Sequence, residues 1–146
     1  MTHLPPTHSP RSRADFGCSD VTKLRVAGLQ GTEYEDAVAS GTLATQSEEK
    51  LEIRGEVDRV YRGAPADAYL IDGERAVRVL KMGFPDAVVW NIGEERAPGI
   101  GDLAAGEWQR YVCYEAAAIA KPVKLAPSSS WRAGQTFFAI KASEVP

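Results

Sequence analysis

Cysteine is almost missing from this chain: Cys18 and Cys113 are the only two in 146 residues, far apart and in no CxxC or Cys/His cluster. That pattern excludes a disulfide scaffold and a zinc site, and two reduced thiols are expected. Histidine is equally scarce, with only His3 and His8, both in the opening segment, where an isolated imidazole is far more often inert than a base or a ligand. No apolar run approaches the ~18 residues that span a bilayer. The opening MTHLPPTHSPRSRADF has no apolar core of a secretory signal either. Basic excess is also lacking: 17 Lys and Arg against 20 Asp and Glu give a net charge of −3, which disfavours nucleic acid as a partner. The glycines match no phosphate-loop spacing. These absences lead to the expectation of a cytoplasmic protein with no membrane partner and no metal. Import into an organelle is a lesser alternative, since Ser and Arg outnumber acids in the opening segment.

What is present is an ordinary globular balance, 44% hydrophobic and 25% charged residues, in a length that fits one domain or a large piece of one. Residues 1–16 carry Pro5, Pro6 and Pro10 without helical or strand periodicity and read as a disordered leader. Residues 17–146 read as one β domain, because short runs rich in Val, Ile, Leu and aromatics alternate with Gly, Asp and Pro. Candidate strands are Lys23–Val26, Leu51–Arg54 continuing to Tyr61, Ala68–Ile71, Ala76–Lys81, Ala87–Asn91, Tyr111–Ile119 and Gln135–Ala142. The Asp72–Gly73 pair signals a tight hairpin, since both residue types tolerate positive φ. Gly101–Trp108 suggests a short helical turn, and Ala37–Glu49 a polar connection.

Two carboxylates stand apart from this pattern. In Leu51–Tyr61 the apolar set Leu51, Ile53, Val57 and Tyr61 leaves Glu52, Glu56 and Asp58 on the opposite face. Asp58 by itself reads as an ordinary solvent-face acid, with Arg59 and Arg62 close by. Glu115, in YVCYEAAAI, shares a face with Tyr111 and Cys113 in a strand otherwise almost free of charge. A carboxylate there must be paired, hydrogen-bonded or facing a cleft, and a solvent-facing edge position is an equal alternative. Trp90 and Asn91 close a strand, where Trp is usually core and Asn a turn former.

The order of these segments resembles the C-terminal half of the hexose-6-phosphate mutarotases, or glucose-6-phosphate 1-epimerases, of the aldose 1-epimerase superfamily. The matching stretches are SDVTKLRVAGLQGTEYEDAV (Ser19–Val38), GEVDRVY (Gly55–Tyr61), AVVWNIGEE (Ala87–Glu95), GDLAAGEWQRYVCYEA (Gly101–Ala116) and the closing LAPSSSWRAGQTF. The resemblance implies an all-β, galactose-mutarotase-like antiparallel β-sandwich, here incomplete, with a sugar cleft on one concave sheet. It also implies that Glu115 is the general base, that Asp58 contacts the sugar, and that no cofactor takes part. The implied substrate is a phosphorylated aldose whose α and β anomers are interconverted.

The sequence departs from the family in three respects. The family's acid histidine opens a His-Thr-Tyr-Phe motif whose place falls on Arg13 in SRADF, where only Phe16 fits. Ile92 stands where the family prefers proline. Members are also considerably longer, and the part not matched here supplies arginines that hold the phosphate. Mutarotation needs a base for the anomeric hydroxyl proton and an acid for the ring oxygen. Glutamate, with a reference pKa of ~4.3, can be the base, whereas arginine, at roughly 12.5 or more, keeps its proton at any working pH. The expectation is therefore a truncated or divergent member. The alternatives are a catalytically impaired carbohydrate-binding remnant and an unrelated β-sandwich interaction module, with the oligomeric state left open.

Overall fold

A computed structural model describes residues 7–146. Thirteen strands follow one another: β1 (Thr7–His8), β2 (Arg11–Gly17), β3 (Arg25–Ala27), β4 (Glu33–Asp36), β5 (Thr42–Thr45), β6 (Lys50–Glu52) and β7 (Val57–Tyr61). After them come β8 (Asp67–Asp72), β9 (Arg75–Met82), β10 (Asp86–Asn91), β11 (Tyr111–Ala117), β12 (Val123–Lys124) and β13 (Gly134–Lys141). A single α-helical turn, Gly93–Arg96, and a 3-10 turn, Glu107–Arg110, lie between β10 and β11.

The strands build a six-stranded sheet, ordered β2-β11-β10-β7-β4-β5, and a five-stranded sheet, ordered β13-β9-β8-β3-β6; β1 and β12 form a separate small pair. All pairings are antiparallel. Period-two geometry therefore gives each sheet one face for the core. Val57, Tyr61, Ala87, Val89, Val112 and Tyr114 from the first sheet join Val26, Leu51, Ala68, Leu70 and Val79 from the second in one buried cluster. The all-β expectation and the β-sandwich hold. The β8–β9 hairpin forms as the Asp72–Gly73 signal implied, with Asp72 paired to Arg75 and Gly73 at φ 63°.

Three local expectations are corrected. Leu51–Tyr61 is not one strand: β6 belongs to the five-stranded sheet and β7 to the six-stranded one, so the chain crosses the sandwich at Arg54–Glu56. The "polar connection" over Ala37–Glu49 contains β5, which pairs with β4 through Asp36↔Thr42 to Glu33↔Thr45. The disordered leader expected over residues 1–16 does not include Arg11–Phe16, because Arg11–Gly17 pairs along its whole length with Tyr111–Ala117. Its period of two is hidden in the sequence because the inward side chains are Ser12, Ala14 and Phe16, of which only the last is strongly apolar. Residues 1–6, and with them His3, lie outside the described residues.

Asp86 pins this framework together. It is buried, its Oδ1 accepts from the Gly63 N–H at 3.0 Å, and its Oδ2 accepts from the N–H groups of Ile119 (2.7 Å) and Ala120 (2.8 Å). Lys81, also buried, donates to the carbonyls of Ala64 (2.7 Å) and Phe84 (2.8 Å), and burial pulls its ammonium below the usual lysine range.

Candidate functional site

The register of the six-stranded sheet decides which side chains meet. Trp90 of β10 pairs with Asp58 of β7 on one side and with Cys113 of β11 on the other, and Cys113 pairs with Asp15 of β2. Two residues along, Val88 pairs with Val60 and Glu115, and Glu115 with Arg13. Paired residues and their i±2 neighbours share a face, so Asp58, Trp90, Cys113, Glu115, Arg13 and Asp15 all stand on the face turned away from the core. Asp58 and Glu115 are thus on one face, two strand spacings across the sheet and two residues along it, roughly 12 Å apart, room for a hexose to lie between them.

Glu115 is 8% exposed. Its Oε1 accepts from the Cys113 thiol at 3.6 Å, and burial pushes that thiol up from its usual range. Its Oε2 lies 3.5 Å from the Arg11 guanidinium and has no hydrogen-bond partner among the described residues, although it is shielded from solvent. A carboxylate oxygen in that condition costs free energy unless a ligand donor reaches it. The Asp58 carboxyl is held above the usual carboxylate range, chiefly by burial and then by Glu56, with Arg11 opposing and Glu115 and Asp36 adding to the rise.

Arg13 donates through Nε (3.1 Å) and Nη2 (3.0 Å) to Asp15 Oδ1, and its guanidinium lies 5.3 Å from the centre of the Trp90 ring. Its bond to Asp15 raises its pKa further, so it carries a fixed charge directly opposite Glu115. Trp90 and Tyr111 stand beside it with ring centres 6.0 Å apart, tilted by 43°. Sequence reasoning does not single out Arg11, Arg13, Trp90 and Tyr111 together as a site. The signal available is the alternation Arg11, Arg13, Asp15 in a strand, obscured by the prolines ahead of it.

The face is held in place from behind and from the end. Arg59, on the core side between Val57 and Tyr61, is neutralised by Asp36 at 3.3 Å, and it shares the Gln46 amide oxygen with the Tyr61 hydroxyl. At the far end the buried Asn91 amide donates to the carbonyls of Trp108 and Tyr111 and accepts from the Gly93 N–H. Gly93 is required there: its φ is +71°, and a Cβ would lie 2.3 Å from the backbone nitrogen of Glu56. His8, exposed, lines a hollow with Ser9, Pro10, Val123, Leu125 and Trp131 that includes neither Glu115 nor Asp58. Among the described residues no group of three His, Cys, Asp or Glu is arranged to hold a metal ion, and no helix is long and apolar enough to cross a membrane.

The raised carboxyl of Asp58 gives a signed prediction. A group whose folded pKa lies above its unfolded value loses stability as pH rises through the folded value, and below the unfolded value it contributes no difference. Asp58→Asn should therefore raise the unfolding free energy near neutral pH, by less than about 1 kcal/mol. The gain should vanish below the ordinary aspartate range. Paired urea titrations at neutral and acid pH measure both arms, and an Asn variant that is less stable at neutral pH contradicts the burial account.

The same architecture recurs in solved structures. A "putative mutarotase" from Salmonella typhimurium superposes with a TM-score of 0.87 at 22% identity, over 95% of this chain and 48% of that one. A "putative aldose 1-epimerase" from Escherichia coli K12 superposes with a TM-score of 0.62 at 12% identity, over 94% of this chain and 51% of that one. The fold is therefore that of the mutarotase-like antiparallel β-sandwiches, of which the chain represents about half. No protein-family model matches the chain. In sequence it is 35% identical over 130 residues, 88% of its length, to a protein of Cenchrus ciliaris described as "Putative glucose-6-phosphate 1-epimerase". The chain is thus similar in sequence to that protein, and it spans 40% of that relative's length.

Proposed function

We propose that the outer face of the six-stranded sheet takes a phosphorylated aldose such as glucose 6-phosphate, and that Glu115 is the base that opens its hemiacetal. The observation that carries this reading is Glu115 Oε2, buried, without a hydrogen-bond partner and on the face that Asp58 shares. A base must take the proton from the anomeric hydroxyl so that the C1–O5 bond breaks and C1 becomes an aldehyde; rotation about C1–C2 and reclosure then give the other anomer. A carboxylate on the sugar-facing side of the sheet suits that step. Asp58 accepts from a second hydroxyl and fixes the ring. The name of the Cenchrus ciliaris relative supports a 6-phosphorylated glucose, and Arg11 and Arg13 add positive charge to the same face.

A second reading, binding of the sugar without catalysis, is favoured by the arginine that stands opposite Glu115. Ring opening also needs a proton for O5, and a guanidinium does not supply one. The Trp90–Tyr111 pair offers a surface on which an apolar sugar face stacks. The two readings separate in two measurements on the 146-residue chain. Titration with glucose 6-phosphate should shift the Trp90 indole and Glu115 backbone signals in a proton–nitrogen NMR spectrum, and no shift at millimolar ligand refutes both. A rate of anomer equilibration above buffer favours catalysis, and a bound sugar that equilibrates at the buffer rate favours binding alone.

A further inference from the structure

Cys113 stands on the outer face of the six-stranded sheet, yet it is wholly buried there. Trp90 of β10 and Asp15 of β2 pair with it on either side, and Tyr111 and Glu115 precede and follow it on the same face of β11. Burial is the largest cause that pushes its thiol up, Arg13 opposes, and Glu115 and Asp15 add to the rise. The thiol therefore keeps its proton at neutral pH and acts as a standing donor. Its acceptor is Glu115 Oε1 at 3.6 Å.

What this donor does to Glu115 follows from geometry and from strength. A glutamate has several rotatable bonds to restrain before its carboxylate occupies one place. A bond from two residues back on the same strand holds Oε1, and with it the plane of the carboxylate. Oε2 is left shielded from solvent and without a hydrogen-bond partner among the described residues, so a ligand donor finds it free. A thiol is a weak donor, so the carboxylate is oriented while its charge stays available to the substrate. Cys18 supplies an internal comparison: its thiol donates to the Gln109 carbonyl at the same 3.6 Å. The two thiols thus differ in the charge of the acceptor and not in distance.

We infer that Cys113 is a positioning residue of the candidate site, its thiol holding Oε1 of Glu115 so that Oε2 is left for the anomeric hydroxyl of the sugar. The inference rests on the reading of Glu115 as the base that meets that hydroxyl. Sulfur takes no part in bond making: the proton that Glu115 accepts comes from the sugar, and the thiol proton stays on sulfur. Orientation of a reacting group is what such a contact contributes, and it is lost when the donor is removed and recovered when another donor stands in its place.

The test reads the S–H stretch of the 146-residue chain in the infrared, in a window free of other protein bands. Cys18→Ser leaves the Cys113 band alone and so assigns both. In the native chain the Cys113 band should lie below that of Cys18, because a carboxylate is a stronger acceptor than a carbonyl. Glu115→Gln should move it up towards the Cys18 position, and saturating glucose 6-phosphate should move it part of the way, since the carboxylate then accepts from the sugar as well. Affinity for glucose 6-phosphate is read from the Trp90 indole signal, with urea midpoints as the check on folding. Cys113→Ala should bind about tenfold more weakly than the native chain, and Cys113→Ser, which keeps a donor, within about threefold of it. A Cys113 band that Glu115→Gln leaves in place overturns the proposal while the reading of Glu115 stands, as does a folded Cys113→Ala that binds as tightly as the native chain. A native chain that binds no glucose 6-phosphate at millimolar concentration, while its band still answers to Glu115→Gln, refutes the reading of Glu115, and the proposal falls with it.

Discussion

Glu115→Gln is expected to remove the acceleration of anomer exchange, by about 10²–10⁴-fold, in a chain that carries the part of the Cenchrus ciliaris relative which this one does not span. The amide keeps the shape of the side chain and one acceptor oxygen, so Cys113 still has a partner, while the NH₂ group replaces the oxygen 3.5 Å from Arg11 and that ion pair is lost. What is lost is the capacity to take a proton. If Glu115 is the base, kcat for freshly dissolved α-glucose 6-phosphate falls while KM changes little, because binding through Asp58 and the aromatic pair is untouched. A variant with kcat within threefold of the parent would sink the assignment, and one that lost KM instead would make Glu115 a binding group. The unextended chain should stay near the buffer rate in both forms, since Arg13, held by Asp15, is too weak an acid to protonate the ring oxygen.

The sandwich and Glu115 are legible in the sequence for a physical reason: strands with one solvated face alternate, and an acid out of step with the alternation is visible. Glu115 stands out in this way, whereas Asp58 is in step with the alternation and is singled out only by the family resemblance; the register sets the two on one face. Arg59 breaks the same rule from the other side, a charge in the apolar set of β7, and its explanation lies in Asp36, 23 positions earlier in sequence and on a strand that local pattern does not reveal. The strands that escape the sequence reading share a cause. β4 and β5 consist of short polar runs, EYED and TLAT, whose core contribution is mainly Tyr34. β2 turns Ala14 and Ser12 inwards, too small to register as hydrophobic. Pairing partners decide such segments, and partners are not visible in local pattern. The break at Arg54–Glu56 is legible only as Gly55, which reads as an interruption and proves to be a crossing between sheets.

Asp86→Ala is expected to cost about 2–3 kcal/mol. The carboxylate is 1% exposed and satisfies three backbone donors, Gly63, Ile119 and Ala120, in part-buried charge-assisted hydrogen bonds that the variant would lose. Gly63 follows β7, the strand of Asp58, and Ile119 and Ala120 follow β11, the strand of Glu115, while Asp86 opens β10 between them. One side chain therefore ties the ends of the two strands that carry the candidate site, and its loss should loosen their spacing as well as the fold. Asp86→Asn should fall between the parent and the alanine variant, because an amide oxygen can still accept from Ile119 and Ala120 while its NH₂ group confronts the Gly63 N–H. Urea unfolding followed by circular dichroism gives the midpoints, and unchanged m-values would show that the native state, not the unfolded one, is affected. An alanine variant less than about 1 kcal/mol below the parent would mean that water reaches these three donors and that the carboxylate does not hold the strand ends together.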